Sequence, residues 1–288
     1  MKAIFLDKYY SFISISGKGV KNFLNGQFSC NIKNLQIEKP IRGAYIDVSG
    51  RISCTFNIFL YHDDIYIIFL KTDLIDFFIN DLKKYIMSMP IKLNDVSKDW
   101  YSAAILNINN NDLKKEDNSL IIFEDKKIFF LFSFRKEISK YNIFNLKKYE
   151  TICYKEYKYN IIKRGILEVS KLTTNKFLPN HTNFIRHIDF LKGCFRGQEI
   201  VLRIKNLSYD KKNLALFEME KNISNNIEFY PLYLQLLPNK KKIVGHVISS
   251  IFFKEKTYIL ACANLNLKMD ATYSAVGLSN IRLLKYFS

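Results

Sequence analysis

The chain has 288 residues, 48% of them apolar, and a formal charge of +17. No stretch approaches the roughly 18 uninterrupted apolar residues of a spanning helix, and the apolar start is too short for a signal peptide, which predicts a soluble, cytoplasmic protein with no membrane partner. Five widely spaced cysteines without a Cys-x-x-Cys pair, and four histidines at no ligand spacing from them, argue against a disulfide framework or a structural metal site.

In chain order, residues 11–16 alternate, with Ile13 and Ile15 on one face, and predict a strand. Val20, Phe23 and Leu24 then fall at helical spacing, with Gly26 as the expected stop. Strands are predicted over 43–48, 52–61 and 65–70. Thr72 or Asp73 is the expected cap of an amphipathic helix whose stripe is Leu74, Phe77, Phe78, Leu82, Tyr85 and Ile86. Pro90 ends helix, and 91–96 returns to strand. Residues 103–108 read as strand, 107–118 as an asparagine-rich loop, and 120–123 with 128–134 as a hairpin. A helix is expected over 157–166 and irregular chain over 175–183. The run 198–204 fits helix or strand equally. Beyond a boundary near Asp210, six short apolar runs (214–219, 227–237, 242–252, 257–263, 273–276 and 281–286) alternate with turn signals such as Pro238-Asn239. They predict a small antiparallel barrel or sandwich, and with the mixed units before them an α+β architecture.

Residues 192–199 read Lys-Gly-Cys-Phe-Arg-Gly-Gln-Glu. Cys194 lies between Gly193 and Gly197, which predict a bend. Lys192 and Arg196 lie two residues to either side, and nearby cations favour the thiolate, the form that attacks carbon, exchanges with sulfur or binds metal. Cys194 is therefore the candidate functional thiol, as a nucleophile, a transient cluster ligand or a redox-responsive group. Lys192 is expected to lower the thiol pKa or to meet an acidic ligand tail. Gln198 and Glu199 are expected to hydrogen-bond the loop or a ligand, or to cap a helix. Cys54 and Cys262 fall in strand-like runs and read as core. Lysine far outnumbers arginine and is scattered among Asn, Ile, Phe and Tyr, a composition expected from A/T-rich coding. A weak attraction for RNA or for a polyanionic ligand tail follows from the charge either way.

The octapeptide resembles the Lys-Gly-Cys-aromatic-x-Gly-Gln-Glu signature of the YgfZ family, folate-binding proteins that support iron–sulfur enzymes and tRNA modification. Gly26-Gln27, residues 45–51, residues 82–85 and Phe177-Leu178-Pro179 are similar to the family in order and spacing. The resemblance runs from about residue 10 to the C-terminus and is weakest over 100–150. It implies an α+β fold like the glycine cleavage T-protein, with domains around a central cavity for tetrahydrofolate and a small C-terminal antiparallel β-barrel. The implied domains are a folate-binding body (1–98 with 151–209), a second α+β subdomain (99–150) and the barrel (210–288). Two tryptophans linked to folate in bacterial relatives fall, by spacing, at Tyr10 and Tyr157, whose rings would stack on the pterin. Asp47 and Arg51 flank a tight turn. They form an internal ion pair or, if the hairpin faces the cavity, Arg51 binds a ligand carboxylate. The implied function is a tetrahydrofolate-binding accessory protein for iron–sulfur cluster assembly or repair, and thereby for tRNA methylthiolation. Iron–sulfur proteins or cluster-assembly factors would be its partners. The alternatives are a folate-dependent aminomethyl- or methyltransferase, for which no general acid–base pair is legible, and a direct tRNA-binding protein.

Overall fold

The computed structural model describes residues 2–62, 64–106, 121–134, 149–207, 212–223, 226–237, 240–275 and 278–287. The chain divides into two compact, discontinuous units. The first comprises Met1–Tyr45, Cys54–Cys153 and Asp189–Arg196; the second comprises Ile46–Ser53, Tyr154–Ile188 and Gly197–Ser288. The passage at Arg196–Gly197 falls inside the octapeptide.

The first unit takes most of β1 (Lys2–Phe5), β2 (Tyr10–Gly17), α1 (Val20–Gln27), β3 (Ile41–Ile46), β4 (Ile52–His62), β5 (Ile65–Lys71), α2 (Ile75–Ile86), β6 (Ile91–Asp95), β7 (Trp100–Leu106), β8 (Ile121–Asp125), β9 (Ile128–Phe134) and β10 (Glu150–Thr151). They form two five-stranded sheets, β3-β4-β5-β2-β6 and β10-β1-β7-β9-β8. Aromatic side chains join the sheets. Phe12 packs edge-on to Phe132 at 5.7 Å, Phe59 stacks on the same ring at 5.9 Å, and Phe59 also meets Trp100 at 5.5 Å. Such rings bury large areas each, so a few of them supply most of a core. Strand β7 pairs antiparallel with β1, and the described residues of 99–150 cluster with this unit. The 107–118 loop lies outside the described residues.

Helix α1 includes Gly26 and ends one residue later, with extended Phe28 as its C-terminal cap. Leu74 just before α2 and Phe78, Leu82 and Ile86 within it are buried at intervals of four, while Tyr85 is exposed. The N-terminal cap position of α2 is Leu74 rather than Thr72 or Asp73: a 3-10 turn over Thr72–Leu74 leads into the helix, and the Thr72 hydroxyl takes a hydrogen bond from Ser11. The β8–β9 hairpin turns through Lys126 and Lys127, both at positive φ, as a two-residue connection that matches strand twist requires.

The second unit holds α3 (Tyr154–Lys163), α4 (Gln198–Leu207) and strands β11 (Lys212–Met219), β12 (Pro231–Leu237), β13 (Lys240–Phe253), β14 (Lys256–Asn264), β15 (Thr272–Ala275) and β16 (Leu278–Tyr286). The ambiguous run after residue 198 is thus helix. The six strands close into an antiparallel barrel, β11-β14-β13-β12-β15-β16, one of the two arrangements the spacing allows and the one the resemblance implies. Its interior mixes small and large side chains, with Ala215, Ala261 and Ala263 beside Phe217, Ile259 and Ile281, which suits a narrow closed barrel. Helix α3 begins and ends three residues before the expected 157–166, and its Tyr159 stacks on Phe253 of β13 at 4.6 Å. The boundary near Asp210 and the Pro238-Asn239 turn lie outside the described residues. Among those described, no helix is long and apolar enough to cross a membrane.

Candidate functional site

Cys194 is exposed on a loop, 189–196, that belongs to the first unit and is fastened along its length. At its start, the Asp189 N–H donates to Ser29 O (3.0 Å). Its carboxylate accepts from Asn31 Nδ2 (3.0 Å) and from the Leu191 N–H (2.8 Å). In the middle, Lys192 turns inward and is only 8% exposed. Its ammonium donates to Asn25 O, and Asn25 answers by donating Nδ2 to Lys192 O (3.2 Å) while its Oδ1 accepts from the Ile32 N–H (3.2 Å). At the end, the Arg196 N–H donates to Gly26 O (3.0 Å). Asn25 and Gly26 form the last turn of α1, where carbonyls lack partners within the helix. The loop supplies those partners, and a cation there suits the negative end of the helix dipole.

The Arg196 side chain makes a second fastening. Its Nη1 pairs with Asp81 Oδ2 on α2 (2.9 Å) and bonds the Tyr45 hydroxyl, which itself donates to Asp81 (2.8 Å). The guanidinium carbon lies 4.8 Å from the Tyr45 ring centre and 4.9 Å from that of Tyr85. Cations over aromatic faces are favourable, and this explains why Tyr85 leaves the buried stripe of α2. Burial alone would raise the Asp81 carboxyl. Hydrogen bonds from Lys84, Arg196 and Tyr45 outweigh it and hold the group at about 2. Both cations that flank Cys194 in sequence are therefore bound to other partners. Burial pulls Lys192 down to about 8 against the opposing pull of Asp189. Burial also pushes the Cys30 thiol up to about 12 and raises Cys54, so these two stay protonated core groups.

The other half of the octapeptide lies in the second unit. Gly197 has φ +78, and Gln198 and Glu199 open α4, with Gln198 half-buried and Glu199 exposed in the first turn. Asp47 and Arg51 do not pair through their side chains. The Asp47 carboxylate accepts from the Ser49 and Arg51 N–H groups (2.9 and 2.8 Å) and closes its own turn, while Arg51 Nη1 donates to Lys176 O (2.7 Å). Tyr157 is fully buried on α3. In the first unit, Tyr10 is 4% exposed on β2 and stacks on Phe69 at 4.8 Å. Asn25 and Asp81 carry no mark of these roles in the sequence, and Tyr45 stands out only as part of the family-like stretch 45–51. Asn25 precedes the Gly26-Gln27 pair, but asparagine in a helix carries no signal of a partner 167 residues away. Among the described residues, no group of three or more His, Cys, Asp or Glu side chains has metal-binding geometry.

The two sheets and the barrel define a fold class. The structure superposes on the crystal structure of glycine cleavage system aminomethyltransferase T from Bartonella henselae with a TM-score of 0.74, covering 100% of this chain and 88% of that one at 10% identity. No family model matches the chain. Similar sequences narrow the class. The chain is 24% identical to tRNA-modifying protein YgfZ of Buchnera aphidicola subsp. Schizaphis graminum, across 95% of this chain and 91% of that protein. It is 23% identical to tRNA-modifying protein YgfZ of Aliivibrio fischeri strain MJ11, across 91% and 84%. An uncharacterized protein of Haemophilus influenzae is 23% identical across 84% and 82%. The likeness to the YgfZ family thus extends over most of the chain, on the fold of the glycine cleavage T-protein.

Proposed function

We propose that this protein binds tetrahydrofolate and supports iron–sulfur-dependent tRNA modification, with Cys194 as its working thiol. The observation that carries the reading is the fastened loop. Side chains and backbone hold its buried residues, while the one cysteine of the signature stays in solvent. The names of the YgfZ relatives support the link to tRNA modification, and the fold supports the folate. The residues fit a folate in part. Gln27 Oε1 and Arg196 Nε are buried without hydrogen-bond partners, an acceptor and a donor of the kind a pterin edge can match. Arg51 is exposed and keeps N–H groups for a carboxylate beyond the one given to Lys176. Tyr10 and Tyr157, by contrast, are closed within their own cores. A bound folate would bring one-carbon chemistry; the chain's own residues would hold its polar edges and present a thiol.

Two measurements test the reading separately. Titration with tetrahydrofolate should give saturable binding that weakens in Arg51→Ala; no binding removes the folate. In a host lacking its YgfZ protein, this chain should restore methylthiolated tRNA and Cys194→Ser should not. Full rescue by the serine variant removes the thiol.

A further inference from the structure

A groove on the barrel is used by none of the foregoing. It lies where the ends of β11, β15 and β16 meet and has a volume of about 470 Å³. Glu220, Lys221, Thr272, Ser279, Asn280 and Arg282 supply its polar lining. Five of these six side chains carry hydrogen-bond donors. The single carboxylate, Glu220, is already paired with Arg282 Nη2 at 2.8 Å, which leaves the other guanidinium N–H groups and the whole Lys221 ammonium to a ligand. The donors are also placed. Lys221 O is held by the Thr257 hydroxyl at 2.5 Å, which fixes the root of the lysine. Asn280 has φ +59 inside a strand, and the β15–β16 register slips between Tyr273 and Ala275. Bulges of this kind re-aim side chains, and asparagine is among the few non-glycine residues that take positive φ readily.

A groove rich in donors from β15, β16 and the segment that follows β11, with one carboxylate already neutralised, calls for a ligand that is anionic and accepts hydrogen bonds in several directions. A phosphate group does both. We propose that this groove binds a phosphate ester, with Lys221 and Arg282 as its cations. The ester can be a free nucleotide or the backbone of a polynucleotide. The proposal stands apart from the thiol reading, so Cys194→Ser should leave it untouched.

The test uses the full chain with two probes, AMP and a fluorescein-labelled single-stranded RNA 12-mer, at two salt concentrations. The variants are Lys221→Gln with Arg282→Gln, and Lys242→Gln as a control. Lys242 lies near the start of β13, whereas the groove end of the barrel is marked by the Met219–Thr257 and Phe252–Thr257 pairs near that strand's close. The double variant should weaken binding about tenfold or more and flatten the salt dependence by about one contact per cation, while the control stays near wild type. Sensitivity with both probes assigns a nucleotide site; sensitivity with RNA alone assigns a polynucleotide contact. Binding of neither probe overturns the proposal, as does a loss that Lys242→Gln reproduces. Circular dichroism melts of each variant establish that it is folded.

Discussion

The two halves of the octapeptide are held by different physics. Residues 192–196 are fastened by polar groups: an ammonium on a helix carbonyl, an asparagine that returns the bond, and an arginine between two tyrosines and an aspartate. From Gly197 onward the chain is held by shape. A Cβ on Gly197 would sit 2.3 Å from Asp47 O and 2.7 Å from a methyl of Ile46, and one on Gly50 would sit 2.8 Å from a methyl of Ile200. A polar fastening loosens one bond at a time, whereas a contact against backbone admits a side chain or does not.

The largest expected effect probes that contrast. Gly197→Ala combines positive φ with a clash against a backbone oxygen and should cost about 3 kcal/mol or more in urea unfolding. Gly193 also has positive φ, +98, but nothing lies within 4 Å of the position a Cβ would take. Gly193→Ala should therefore cost only about 1–2 kcal/mol, the conformational penalty alone. Equal losses would break the comparison. Asn25→Ala comes next, at about 2 kcal/mol, because the Ile32 N–H and Lys192 O lose their partner in a buried setting. Hydrogen exchange should rise in 189–196 and leave the barrel strands unchanged.

Much of this was legible beforehand, for local reasons. The barrel strands announce themselves by short apolar runs between turns, and the glycines of the octapeptide by their spacing. What was hidden depends on long-range partners. Tyr85 fits the apolar period of α2, yet it serves Arg196, which is 111 positions away and carries no mark of that role. By sequence Lys192 is a cation for Cys194 or for a ligand, because neighbours in sequence are the only ones a sequence displays. Its side chain points into the fold. Thr72 is a plausible cap by type, but Ser11 on a neighbouring strand claims its hydroxyl.

The Asp81 fastening is sharpened by acid. Its carboxyl is held at about 2 in the fold against 3.8 for the unperturbed group. A depressed carboxyl contributes stability that is present above the higher value and lost as pH falls through the lower one. Wild type should thus lose about 1–2 kcal/mol between pH 4 and pH 2 relative to Asp81→Asn, whose curve lacks that step. A side chain that is 15% exposed is screened in part, which keeps the figure below the full shift.

Lys192 gives the smallest effect at neutral pH and the most pointed one. Burial lowers its ammonium from 10.5 to about 8, so between those values the unfolded chain holds a proton that the folded chain has released. Stability from this group therefore rises with pH across that window, the reverse of a lysine that gains an ionic partner. Cys30, held up near 12, stays neutral throughout and does not confuse the reading. Lys192→Met should lie within about 1 kcal/mol of wild type at pH 7, because removing a buried charge offsets the lost hydrogen bond. Wild type should then gain about 2 kcal/mol on the variant by pH 10.5. In a Cys153→Ser background, alkylation reports on Cys194 while the remaining cysteines are buried. A changed alkylation rate at unchanged stability would mean that the lysine sets where the loop holds its thiol. A loss of several kcal/mol at pH 7 would instead make Lys192 a net stabilising fastening in its charged form, and the polar half of the octapeptide would depend on charge as firmly as the other half depends on shape.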